Sequence, residues 1–152
     1  MADTNERRHA QPDSALQALD RLVGTWQVTG GAEGQVRYEW MEGGFFLIQH
    51  VSLERDGHPV RGTEVIGRVH PFGEPEPSAD IKSRFYGAGG ETFDYAYDLS
   101  GDTLTIWGGE RGSPAVYKGT FSEDGSVLAG GWEYPGGGYQ SRAERVDVPA
   151  AE

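Results

Sequence analysis

The sequence predicts an all-β protein: a closed, antiparallel up-and-down barrel of about ten strands, with one short helix before the first. Three observations predict it. Glycine supplies 24 of 152 residues while aromatic residues reach 11%, a pairing that fits many short strands joined by tight turns and not a disordered chain. From residue 25 onward, short segments of alternating polar and apolar residues are separated by Gly- and Asp-containing turns. No long crossover lies between them, so consecutive strands are hairpin neighbours. Ten such strands in an open sheet would leave two unpaired edges, and closure removes both.

The elements follow in order. Residues 1–12 are polar and expected to be a disordered N-terminal segment, 13–148 a single barrel domain, and 149–152 a tail. The charged start Met1–His9 has no apolar core behind it, which argues against a secretory signal. Asp13 or Ser14 caps a helix over 15–22, whose Leu16, Leu19 and Leu22 share a face, and Gly24 stops it. Trp26 follows at the end of the barrel that this helix would plug. Strands are expected at 25–29, 35–41, 45–54, 61–70, 80–86, 92–99, 103–107, 115–121, 127–134 and 139–146. The segments Arg55-Asp56-Gly57-His58, Leu99-Ser100-Gly101-Asp102 and Ser122-Glu123-Asp124-Gly125-Ser126 are hairpin turns.

Alternation assigns faces. Val36, Tyr38 and Trp40 oppose Gln35, Arg37 and Glu39; Phe93, Tyr95, Tyr97 and Leu99 oppose Thr92, Asp94, Ala96 and Asp98. Leu128, Gly130, Trp132 and Tyr134 form a third inward row. The strand at 45–54 is apolar on both faces, and Phe46, Ile48 and His50 are read as its inward row. In 61–70, Thr63, Val65, Gly67 and Val69 read as the packed side, leaving Glu64, Ile66, Arg68 and His70 to solvent or, alternatively, to a polar cavity lining. Glycines facing the aromatic rows are taken to leave space for a cavity.

The segment Leu22-Val23-Gly24-Thr25-Trp26 resembles the lipocalin/calycin superfamily, in which Gly-x-Trp follows a short N-terminal helix. Further stretches extend the likeness: Glu39-Trp40-Met41-Glu42-Gly43-Gly44-Phe45-Phe46-Leu47, Gly62-Thr63-Glu64-Val65-Ile66-Gly67, Asp102-Thr103-Leu104-Thr105-Ile106-Trp107, Tyr117-Lys118-Gly119-Thr120-Phe121-Ser122-Glu123-Asp124-Gly125, and Leu128-Ala129-Gly130-Gly131-Trp132-Glu133. Together they are similar to lipocalin-like bacterial proteins of a domain-of-unknown-function family, over about residues 15–147. The resemblance implies a closed barrel and carries no activity with it. Nitrobindin-type and fatty-acid-binding-protein-type barrels are more distantly similar. Nitrobindins hold haem through a histidine late in the barrel. The histidines here are His9, His50, His58 and His70, so that ligand is missing and no cofactor is expected.

Lysine and arginine number 13 against 24 acidic residues, a net charge of −11. That charge disfavours nucleic acid and anionic lipid as partners. The absence of cysteine excludes disulfides, thiolate catalysis and zinc–thiolate sites. No phosphate-binding loop, Gly-x-Ser-x-Gly elbow or His-Glu-x-x-His pair occurs. No window is apolar enough for a membrane span, and a cytoplasmic location is expected. The expected function is therefore binding of a small hydrophobic or aromatic molecule inside the barrel. The candidate site is Tyr38, Trp40, Phe46, Ile48, His50, Arg84, Phe93, Tyr95, Tyr97, Trp132 and Tyr134. His50 would be its titratable member, unless a one-residue slip turns it outward and brings Gln49 in. Arg84, like Arg142, holds a ligand carboxylate if it points inward and a surface salt bridge if it does not. Two other functions compete. One is a cofactor-independent cyclase or isomerase using His50, Tyr38 and Arg84; the other is self-association, as a homodimer, through the strand at 45–54.

Overall fold

A computed structural model describes residues 11–146. The expected segments at 1–12 and 149–152 lie outside the described residues, apart from Gln11 and Pro12. Ten strands form one closed antiparallel barrel: β1 (Gly24–Gly30), β2 (Glu33–Trp40), β3 (Phe46–Arg55), β4 (His58–Gly67), β5 (Ile81–Gly87), β6 (Thr92–Ser100), β7 (Thr103–Gly108), β8 (Val116–Phe121), β9 (Val127–Tyr134) and β10 (Gly137–Val146). Each pairs with the next in sequence. The pairing of β1 with β10, from Thr25↔Val146 to Gly30↔Ser141, closes the ring.

The expected helix divides into α1 (Ser14–Gln17) and a 3₁₀ turn (Ala18–Leu22). Asp13 is the cap: its Oδ1 accepts from the Leu16 amide at 2.8 Å. Leu16, Leu19 and Leu22 are all buried against the barrel end, as their spacing requires. Beneath them Trp26 is 1% exposed and its Nε1 donates to the Leu22 carbonyl at 2.8 Å. The Arg145 guanidinium lies 4.3 Å from the centre of that indole and donates to the carbonyls of Val23 and Arg21 at 2.5 and 2.7 Å. The ring of Phe121 meets Trp26 at a tilt, centroids 6.3 Å apart. Leu47, Ile66 and Leu104 complete this packed floor.

The β3–β4 connection explains the one strand that moves appreciably. Asp56 and Gly57 have φ of 53° and 78°, the left-handed pair of a two-residue hairpin. The return strand therefore begins at His58 and ends at Gly67, three residues earlier than the expected 61–70. Arg68 and His70 fall in the following loop. Arg68 Nε donates to Asp13 Oδ2 at 2.5 Å and its Nη1 to the Ala79 carbonyl at 2.5 Å, tying that loop to the helix cap. His70 Nε2 contacts the Glu74 carbonyl at 2.7 Å.

Pairing also reverses the faces expected for β3 and β4. Residues directly opposite in an antiparallel pair share a face. Inward Tyr38 and Val36 of β2 oppose Gln49 and Val51, while outward Arg37 and Glu39 oppose His50 and Ile48. Leu47, Gln49 and Val51 in turn oppose Ile66, Glu64 and Gly62. Glu64 and Ile66 are thus interior, 5% and 0% exposed, and Thr63 and Val65 lie on the other face.

Candidate functional site

The helix shuts one end of the barrel, and the loops 31–32, 56–57, 88–91, 109–115 and 135–136 ring the other. Between the floor and these loops lies a cavity of about 250 Å³. Apolar residues from nearly every strand line it, among them Val36, Val51, Leu53, Ile106 and Leu128. Aromatic rings supply much of the wall. Trp132 meets Tyr95 and Tyr117 at tilted angles, with centroids 5.9 and 5.8 Å away. Phe85 and Phe93 stack at 6.3 Å, and Phe93 is half exposed, so this pair belongs to the mouth.

One carboxyl enters this wall. Glu64 Oε2 accepts hydrogen bonds from Ser83 Oγ at 2.5 Å and from the Tyr97 hydroxyl at 2.6 Å. Burial raises its pKa from the ordinary 4.5, against the opposing effect of these two donors. Burial likewise raises Tyr38 and Tyr97 well above the usual phenol value and brings Tyr95 and Tyr117 to about 12. All four phenols stay neutral across the physiological range and act as hydrogen-bonding groups. At the mouth, Arg55 Nη2 donates to the Tyr134 hydroxyl at 2.7 Å, and its guanidinium lies 4.2 Å from the Tyr139 ring centre.

Of the residues expected at the site, Tyr38, Phe93, Tyr95, Tyr97 and Trp132 line the cavity. Trp40 points inward below it, where its Nε1 donates to Asp20 Oδ1 at 2.8 Å in the plug. Tyr134 is engaged by Arg55 at the mouth. Phe46, Ile48 and His50 are on the outer face, because β2 sets the register of β3. His50 Nε2 contacts Glu39 Oε2 at 2.6 Å there, and this bond, then Arg37, holds the Glu39 carboxyl below its usual range. Gln49 takes the inward place. Arg84 is also outside, bridging both oxygens of Asp94 at 2.7 and 3.1 Å; Arg142 pairs with Glu144 at 2.7 Å on the surface. The surface alternative holds for both arginines.

The expected site did not include Glu64, Ser83, Tyr117 or Tyr139. Tyr117 was recoverable, since it alternates with Gly119 and Phe121. Glu64 was not: a carboxylate two residues from Ile66 gives the same pattern on a solvent-facing strand.

The glycines do not act as expected either. A Cβ at Gly130 would overlap the Lys118 carbonyl, and one at Gly119 the Tyr117 ring. These positions admit neighbouring backbone and rings and leave no void.

No protein-family model matches the chain, and no characterised protein matches it. Among the described residues, no helix is long and apolar enough to cross a membrane, and no cluster of three potential metal ligands occurs.

Proposed function

We propose that this chain is a cytoplasmic, lipocalin-like barrel that binds a small hydrophobic or aromatic molecule in its interior. The observation that carries this reading is the cavity: about 250 Å³, floored by the plug, open at the loops and walled by aromatic rings. A dry apolar cavity of about 150 Å³ already admits benzene, so this one has room for a one- or two-ring molecule. Hydroxyls of Tyr38, Tyr95 and Tyr117 would orient it. The test is calorimetry with neutral one- and two-ring aromatics, together with mass spectrometry of compounds extracted from the natively purified protein. Saturable binding at one site, lost when Tyr95→Trp fills the cavity, is expected. No binding of any probe and no co-purified compound would refute it.

A second reading, a cofactor-independent cyclase or isomerase, is favoured by one feature. Glu64 is a buried carboxyl of raised pKa inside the cavity, the environment that tunes a carboxyl for proton transfer near neutral pH. Its general acid–base group would be Glu64 and not the outward His50. Such an enzyme loses turnover but keeps ligand binding in Glu64→Gln.

A further inference from the structure

We propose that the cavity selects ligands bearing a basic nitrogen, bound as an ammonium by Glu64 Oε1 within a cage of aromatic rings. The inference rests on the interior binding proposed above and names the chemistry of its ligand.

The argument begins with what Glu64 lacks. Both protein donors, Ser83 and Tyr97, converge on Oε2. Oε1 has no hydrogen-bond donor among the described residues, although Glu64 is 5% exposed and lines the cavity. A carboxylate has about four lone-pair sites to satisfy, so half of the group is left unserved. The side chains that line the cavity include no arginine, lysine or histidine. The titratable groups facing the carboxyl there are phenols, those of Tyr38, Tyr95 and Tyr97. Arg55, the cation at the mouth, lies six residues up β3 from Gln49, the cross-strand partner of Glu64. That is about 20 Å along the strand. A buried carboxyl without a countercharge is costly to a fold, and an apolar residue would fill the same place. A cation brought by the ligand supplies the missing partner.

The surroundings suit that cation. Tyr95, Tyr117 and Trp132 pack against one another in the wall of the same cavity, and the faces of such rings attract ammonium groups. A net charge of −11 gives the whole molecule a field that draws cations toward it. An anionic ligand would place a second negative charge in a site whose first is uncompensated.

The experiment compares three 3-substituted indoles of different charge by titration calorimetry at neutral pH: the cationic tryptamine, the neutral 3-ethylindole, close to it in shape, and the anionic indole-3-propionate. Wild-type protein is expected to bind tryptamine at least about tenfold more tightly than 3-ethylindole, and indole-3-propionate most weakly, from one charge-assisted hydrogen bond in a cage. Glu64→Gln, which keeps the shape and both donors' acceptor, should erase the preference for tryptamine over 3-ethylindole. The wild-type ranking is decisive even if that variant does not fold. Equal or tighter binding of 3-ethylindole overturns the ammonium site while leaving interior binding intact. Failure of all three to bind overturns both.

Discussion

Replacing Trp26 by alanine tests whether the plug holds the barrel shut. The indole is 1% exposed and makes three kinds of contact. It packs in the floor with Phe121, donates to the Leu22 carbonyl at 2.8 Å, and lies under the Arg145 guanidinium at 4.3 Å. Loss of a buried Trp side chain costs about 3–5 kcal/mol in transfer and cavity terms. The Leu22 carbonyl then loses a buried donor, adding about 1 kcal/mol. Arg145 keeps its own bonds to Val23 and Arg21, so the guanidinium is not left unpaired and adds little. A total of about 4–6 kcal/mol is a large share of the 5–15 kcal/mol by which domains are usually stable. Urea unfolding followed by far-ultraviolet circular dichroism should show the midpoint falling with little change of slope. Trp26→Phe should lose less, since one aromatic ring remains in place and only the rest of the indole, with its N–H, disappears. A Trp26→Ala protein that unfolds at the parent's midpoint would refute the plug argument.

Four further outcomes are expected. The Glu64 carboxyl has a folded pKa above the ordinary 4.5 because burial disfavours its anion. Its contribution to stability is therefore full below the unfolded pKa and lost as pH rises through the folded one. Glu64→Gln removes that loss, so its stability relative to the parent should rise as the pH climbs above the ordinary 4.5 in urea titrations; a gap independent of pH would contradict the burial effect. His50→Ala and Arg84→Ala change the outer face alone and should leave the affinity for a neutral aromatic probe within about twofold of the parent, because neither residue lines the cavity; a tenfold loss in either would show that ligand binds outside. Gly130→Ala should destabilise by about 1–3 kcal/mol, as a Cβ there overlaps the Lys118 carbonyl and forces β8 and β9 apart, which thermal unfolding would detect. Gly57→Ser, in an open turn with nothing near its Cβ position, should cost only the strain of its positive φ.

By itself the sequence determined the barrel, the short helix with its cap at Asp13 or Ser14, the hairpin turns, and the inward rows of β2, β6 and β9. Each of these depends on signals within a few residues: a capping side chain, a Gly or Asp at a positive φ, or strict alternation along one strand. Where β3 is apolar on both faces, no such signal exists, and its orientation passed to its neighbours. The clear alternation of β2 set the face of β3 through the pair Tyr38↔Gln49, and β3 set that of β4 through Gln49↔Glu64. His50 thereby went out, and Glu64 came in. Local pattern reports how polar a residue is, but only cross-strand register decides what it faces. The candidate site therefore belongs to the tertiary structure: a carboxyl from β4, a serine from β5, tyrosines from β2, β6 and β8, and a tryptophan from β9 meet only when the barrel closes.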